Sequence, residues 1–370
     1  MQITKKEILD ILQEIIIPND NKSLIHSDVL KDLSITNSEI KIKLLVSNPT
    51  LQFRKKIEKK INNFITQKSD DYELNIDFVI NEEANKKNNS NKTINKIKNI
   101  IAVASGKGGV GKSTISSNLA SSLSILGKNV GLIDADIYGP SIPLMFDVEN
   151  EKPLITNIEG ASLIEPVVAY GVKLLSIGFF SKPSDAIVWR GPMASKALNQ
   201  MIHQANWGDL DYLIIDLPPG TGDIHLTLVQ SLPLTGSIIV TTPQPISLID
   251  AKKAVAMFKM KNINVPILGL VENMSWFSPS ENPKKKYFIF GEAGGENLSH
   301  DLNIPLLSKF PLLESIRESS DVGRPASLQE NNNSEMFINF AKSVIEKTKE
   351  RNEKISKTER VKITHTRGCS

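Results

Sequence analysis

A run of glycines and lysines and three aspartates carry most of the chemistry legible in this chain. Gly106-Lys107-Gly108-Gly109-Val110-Gly111-Lys112-Ser113-Thr114 follows the apolar stretch IIAVAS and precedes an amphipathic one. It fits GxxxxGK[ST] in the strand-loop-helix setting that this pattern requires. Glycines let backbone N–H groups converge on phosphate oxygens, and the N-terminus of the following helix adds partial positive charge. Lys112 is placed to pair with β- and γ-phosphates and Ser113 to ligate Mg²⁺, so ATP with Mg²⁺ is the expected ligand of Gly106 to Thr114.

Two apolar runs end in carboxylates. Leu132-Ile133-Asp134-Ala135-Asp136 closes one and Tyr212-Leu213-Ile214-Ile215-Asp216 the other. A carboxylate at the carboxyl end of a strand beside a phosphate loop can hold Mg²⁺ through water, and Asp216 fits that role. The competing reading is that such an aspartate only caps the turn that follows it. From Asp216 the chain reads DLPPGTGD to Asp223, a rigid start followed by two glycines. That suits a loop that responds to a γ-phosphate.

These residues need a scaffold that brings strand ends together. The runs Ile100 to Ala104, Val130 to Ile133, Leu213 to Ile215, Ile238 to Val240 and Ile267 to Val271 are short and largely β-branched, as buried parallel strands are. Amphipathic stretches such as Ser113 to Leu126 and Leu248 to Lys261 alternate with them. The expected fold is α/β, a P-loop NTPase with a mostly parallel, doubly wound sheet and its ligand at the carboxyl ends of the strands. This domain is assigned to residues 100–350, with a charged tail over 351–370.

Residues 1–80 have a different pattern. Ile8, Leu9, Leu12 and Ile15 mark one helix, Phe53 to Phe64 a second, and the alternation of Ile40, Ile42 and Leu44 a strand, which together predict a small α+β domain. His26 and Asp28 lie near its first strand, where a lone histidine is more often structural than catalytic. Residues 81–99 are rich in Asn and Lys and nearly devoid of large apolar side chains, so a mobile linker is expected there.

Composition narrows the function. With 44 Lys+Arg against 41 Asp+Glu the formal charge is +3, and 40% of the 370 residues are hydrophobic. A soluble two-domain protein is expected, with no electrostatic case for a nucleic-acid partner. No export signal or membrane-spanning run is visible, and a reducing cytoplasm is the expected location. The one cysteine, Cys369, excludes a disulfide framework and any cysteine-ligated metal centre supplied by one copy alone. His203 and His225 lie far apart with no cysteine pair nearby, so a zinc site is not expected. Trp189, Trp207 and Trp276 are read as packing residues.

KGGVGKST resembles the deviant phosphate loop of the MinD/Mrp superfamily. The resemblance implies that Lys107 reaches across a dimer to the partner's nucleotide. DADIYGPSIP from Asp134, RGPMASKALNQM from Arg190, DYLIIDLPPGTGD from Asp211, TTPQPISLIDAKKAV from Thr241 and VENMSWF from Val271 are, in that order, similar to the Mrp/ApbC family. Members are dimeric ATPases that carry iron-sulfur clusters to apo-protein clients. The resemblance implies that Lys107, Lys112 and Asp136 are catalytic, with Asp136 orienting the attacking water. It also implies that Asp134 organises the metal shell together with Ser113 and Asp216, and that Asn273 contacts adenine. Residues 1–80 resemble the small domain of SufT-type iron-sulfur maturation factors, which is often fused in front of this ATPase.

One departure is plain. The resemblance also implies a CxxC motif after ENMS, from which two subunits offer four thiolates to one bridging cluster. Here the chain reads FSPSENPKKKYFIFGEAGG from Phe277, without a cysteine. Serine and glutamate oxygens are poor substitutes for thiolates on iron, so no stable cluster is expected at this loop. Cys369 lies in a terminal TRGCS. It is either an inert thiol or one ligand of a [4Fe-4S] cluster shared with a second copy and outside thiols. Two alternatives to a homodimeric cluster carrier therefore stand: a regulatory ATPase without cluster binding, and a MinD/ParA-like positioning ATPase. For the latter, Met336, Phe337, Phe340, Val344 and Ile345 would offer an apolar helix face to a membrane. More often such a face closes the domain's own core, and no stable membrane association is expected.

Overall fold

The structure is a computed structural model describing residues 4–15, 23–25, 29–36, 39–46, 51–68, 73–80, 94–137, 139–158, 161–180, 191–222, 225–226, 228–229, 232–261, 263–279, 281–282 and 284–356. His26, Asp28, most of the Asn/Lys-rich segment, Trp189, Arg190, Asp223 and Cys369 lie outside these residues. The chain divides into two compact units, residues 1–91 and 92–370.

The first unit runs α1 (Lys5–Gln13), β1 (Leu30–Ile35), β2 (Glu39–Val46), α2 (Leu51–Lys68) and β3 (Glu73–Ile80). Helix α1 starts at Thr4, whose backbone N–H and hydroxyl both donate to the Glu7 carboxylate, at 3.0 and 2.9 Å. Strand β2 is the centre of the sheet, antiparallel to β1 and parallel to β3. The parallel pair requires a crossover, and α2 supplies it. Ile40, Ile42 and Leu44 alternate toward one face of β2, and Ile57, Ile61 and Ile65 recur one turn apart on α2. Both sets join Ile8 and Leu12 in a common core.

In the second unit the strands are β4 (Ile97–Ser105), β5 (Val130–Asp134), β6 (Leu154–Ile158), β7 (Ala161–Glu165), β8 (Val167–Ala169), β9 (Val172–Ser176), β10 (Leu210–Asp216), β11 (Gly236–Thr241), β12 (Ile267–Glu272) and β13 (Leu306–Lys309). The α-helices with described bounds are α3 (Lys112–Ile125), α4 (Ile142–Met145), α5 (Gly191–His203), α6 (Pro245–Phe258), α7 (Gly294–Leu302), α8 (Glu314–Asp321) and α9 (Asn332–Lys354), and His225, Leu226, Leu228 and Val229 are helical as well. The main sheet has the order β13-β12-β11-β4-β10-β5-β9-β8 and is parallel except at β8. Strands β6 and β7 form a separate antiparallel ribbon.

The central strands are apolar on both faces because helices cover both. Leu213 and Ile215 of β10 point into one core with Trp207 and Phe258, whereas Ile214 between them joins Leu119 and Phe340 in the other. The face of α9 that was a candidate for a membrane is taken by this second core. Phe337, Phe340, Ala341 and Val344 are buried, and Phe310 stacks on Phe337 at 4.5 Å between ring centres and meets Phe340 edge-on at 5.5 Å. Among the described residues no helix is long and apolar enough to cross a membrane. Helix α6 begins three residues before the expected Leu248, because Pro245 sits at its first position, where the missing N–H costs nothing.

Candidate nucleotide site

Strand order explains how the site assembles. β10 lies between β4 and β5, with Asp216 in register with Asp134 of β5 and Val103 of β4. Three neighbouring strands thus deliver the phosphate loop, Asp216 and Asp134 to the same edge. Backbone bonds knit the ends together: Leu217 N–H to the Val103 carbonyl (3.0 Å), Gly220 N–H to that of Ser105 (3.0 Å) and Ala135 N–H to that of Asp216 (2.9 Å).

The loop has the backbone that its glycines permit. Gly109 and Gly111 have φ of 78° and 79°, a region costly for residues with a Cβ. Gly106 packs so closely on α6 that a Cβ would overlap the Asp250 backbone, and a Cβ on Gly111 would overlap the Asn273 amide. Gly108 and Gly109 are exposed, with open space beside Gly109, so the front of the loop is free to receive phosphates. Val110 is buried, Thr114 is half-buried, and Lys107 is half-buried with its carbonyl accepting from Ser105 Oγ at 2.9 Å.

Behind the loop the polar groups converge on Asp216. Lys112, only 6% exposed, places Nζ 2.9 Å from Asp216 Oδ1 and 3.9 Å from Asp136 Oδ2. Ser113 Oγ donates to Asp216 Oδ2 at 2.7 Å, and Ser116 Oγ lies 2.7 Å from Oδ1. The donor set around this point, a hydroxyl and carboxylates, is the oxygen chemistry that Mg²⁺ prefers. Among the described residues no group of three His, Cys, Asp or Glu side chains is arranged to hold a metal by itself. A cation at Ser113 and Asp216 would therefore draw its remaining ligands from phosphate and water, as Mg²⁺ commonly does.

Asp134 is in the site but bonded to its own turn. Its Oδ1 accepts from the Asp136 N–H at 3.1 Å, and its Oδ2 from the Ser141 and Ile142 N–H groups at 3.1 and 3.2 Å and from Ser176 Oγ at 3.0 Å. Burial, then the nearby Asp216 charge, push its carboxyl up to about 7. These bonds are those of the turn-capping reading, and they fix the backbone that presents Asp136.

Asn273 does something that its sequence context did not reveal. It is buried at the end of β12, and its Nδ2 donates to the Val110 carbonyl at 3.0 Å, so its amide braces the phosphate loop. Two further residues escaped the sequence reading. Ser116 stands one helical turn after Lys112, a spacing that puts both on the same face. His225, considered there only as a metal ligand, is buried and donates to the Pro218 carbonyl just beyond Asp216. His203 ends α5 and Trp207 is fully buried in the core.

The loop in the place of the thiols is a small hairpin. Phe277 and Tyr287 exchange backbone hydrogen bonds of 2.9 and 2.8 Å, and Leu312 N–H donates to the Trp276 carbonyl at 2.7 Å. Lys286 Nζ lies 4.1 Å from the centre of the Trp276 ring and Lys285 Nζ 4.8 Å from that of Tyr287. Trp276 is thus half-buried beneath a lysine. An open cavity of about 840 Å³, lined by Ile267, His300, Arg351 and Ile355 among others, contains none of the phosphate-loop or Asp216 residues.

A glycine-rich loop between a central parallel strand and a helix, backed by a lysine and a strand-end aspartate, defines the P-loop NTPase class. Residues 96–347 match the family model of the NUBPL iron-transfer P-loop NTPases, and residues 5–73 that of an iron-sulfur cluster assembly protein. The chain belongs to the first of these families. The iron-sulfur cluster carrier protein of Synechocystis sp. is 39% identical over 323 residues, spanning 87% of this chain and 91% of that relative. That of Escherichia coli is 52% identical over 232 residues, 63% of this chain and 61% of the relative. A nucleotide-binding protein from Archaeoglobus fulgidus, solved in complex with ADP, superposes with a TM-score of 0.58 at 34% identity. It covers 67% of this chain and 96% of its own.

Proposed function

We propose that the chain is an ATP-hydrolysing carrier that takes up iron-sulfur clusters and passes them to apo-proteins, working in the cytoplasm as a homodimer. What carries the reading is the relationship to a cluster carrier along nearly the whole chain, joined to an intact set of phosphate- and cation-binding side chains.

In this reading the backbone N–H groups of Gly106 to Gly111 and the Lys112 ammonium hold the β- and γ-phosphates, while Ser113 and Asp216 hold Mg²⁺. When bound, Mg²⁺ neutralises charge on the phosphate oxygens. Asp136, kept beside Lys112 by the Asp134-capped turn, orients the attacking water. Lys107, with no carboxylate partner among the described residues, stabilises the phosphate of the partner subunit's nucleotide. Asn273 contributes as a brace of the loop and toward the base. After hydrolysis the chain from Asp216 to Asp223 relaxes and loosens the dimer or its cargo.

The cluster is cargo, and the hairpin from Trp276 to Tyr287 supplies no thiolate for it. Its ligands are assigned to Cys369 of two copies together with outside thiols. A second reading, a regulatory ATPase without a cluster, is favoured by the Lys286–Trp276 contact that closes this hairpin in place of a ligand. Iron and sulfide content after anaerobic reconstitution separates the two. The carrier should hold both above a Cys369→Ser control and restore an apo-acceptor. Iron no higher than in that control, with no transfer, would leave the regulatory reading.

A further inference from the structure

Among the described residues Asp216 has three side-chain donors, and they are not equivalent. Lys112 and Ser113 are the side chains that phosphate and a divalent cation would recruit, so neither can hold the carboxylate undivided once a metal-nucleotide is bound. Ser116 is different. It is fully buried on α3, one turn beyond Lys112, where neither phosphate nor water competes for its hydroxyl. Its Oγ lies 2.7 Å from Asp216 Oδ1, whereas Ser113 and Lys112 approach Oδ2 and Oδ1 respectively.

We propose that Ser116 is a positioning residue that pins Asp216 Oδ1 and so presents Oδ2 to the divalent cation, setting the cation affinity of the site. This rests on the metal-nucleotide reading given above. Ser116 Oγ also lies 3.1 Å from the Lys112 carbonyl, the ordinary back-bond of a helical serine. A hydroxyl has one proton. The shorter contact to an ionised acceptor is the stronger of the two, so the proton goes to Asp216 and the Lys112 carbonyl receives none from Ser116. Residues that orient a metal-binding group from behind commonly change metal affinity about 10- to 100-fold when removed.

The test uses the full chain saturated with ADP and titrated with Mn²⁺, the free ion being read by its paramagnetic resonance signal. ADP affinity is measured separately in EDTA, and thermal melting checks the fold. Ser116→Ala should weaken Mn²⁺ binding about tenfold while leaving ADP affinity in EDTA and the melting temperature near wild type. Ser116→Thr should restore it, and Ser116→Cys, similar in shape with a weaker donor, should fall between. Unchanged Mn²⁺ affinity in Ser116→Ala would put the proton on the Lys112 carbonyl and overturn the assignment. An equal loss of ADP affinity in EDTA would overturn it too, because it would mean that the helix had shifted. A wild-type chain with no saturable Mn²⁺ signal in ADP would instead overturn the metal-nucleotide reading, and this assignment with it.

Discussion

Lowering the pH should weaken the nucleotide-binding unit through His225. The ring is 2% exposed, and its Nε2 has no hydrogen-bond partner among the described residues. Burial pushes its pKa down to about 4, and the Lys112 charge acts in the same direction, against the hydrogen bond to the Pro218 carbonyl. An unfolded histidine titrates near 6.5. Between those values the unfolded chain binds the extra proton, so the stability is fully present above about pH 6.5 and is lost as pH falls toward 4. A gap of about 2.5 units is worth about 3 kcal/mol, of which about 2 kcal/mol is gone by about pH 5. All three tryptophans lie in the second unit, so urea unfolding followed by tryptophan fluorescence reports on that unit. Wild type should lose about 2 kcal/mol more between pH 7.5 and 5 than His225→Gln, whose amide can still donate to Pro218 but does not titrate. Comparing the two removes the contribution of every other carboxylate and histidine. Parallel pH profiles for the two proteins would exclude a contribution from His225, and a steeper loss in the variant would reverse its sign.

Two other expectations follow from the loop. Gly106→Ala should destabilise the unit by about 1–3 kcal/mol or more and abolish nucleotide binding. The new Cβ meets the Asp250 backbone, which cannot move aside as a side-chain tip could; a wild-type melting temperature would contradict this. Lys107→Ala should lose ATP turnover while keeping most of its ATP affinity, whereas Lys112→Ala should lose both, since Lys112 is buried against Asp216. Phosphate release and fluorescent-nucleotide binding measure the two quantities, and normal turnover in Lys107→Ala would remove that residue from the chemistry.

The fold was legible where burial forces a pattern. β10 and β11 are apolar on both faces and stand out as unbroken runs, and the phosphate loop follows from the glycines that its backbone needs. Pieces whose stability comes from packing elsewhere left little trace: β6 and β7 form a ribbon outside the main sheet, tied by Ile164 to Gln204 and Asn206, and Leu154 and Ile155 remain exposed, so no hydrophobic period marks the ribbon. In the site, residue types were legible and bonding was not. Nothing in the spacing of Asp134 indicates that its carboxylate is held by three backbone N–H groups, because the turn that provides them is visible only once folded. Asn273 and Val110 are separated by 163 positions, and only the neighbouring order of β11, β12 and β4 brings them together.

The missing thiols leave the nucleotide chemistry intact, and the geometry says why. The hairpin from Trp276 to Tyr287 is closed by the Phe277–Tyr287 backbone pair and by Lys286 seated on the Trp276 ring, contacts that call for no metal. Among the described residues a side chain that ties this region to the phosphate loop is Asn273, which precedes the hairpin and reaches Val110 without using any part of it. Asp216, Lys112, Ser113 and Ser116 belong to β10 and α3, and none of their bonds passes through the hairpin. Nucleotide binding and cargo ligation are thus physically separable in this chain. A failed iron assay would remove the carrier reading and leave the metal-nucleotide site standing, whereas a failed Mn²⁺ titration would remove the site on which any nucleotide-driven release of cargo depends.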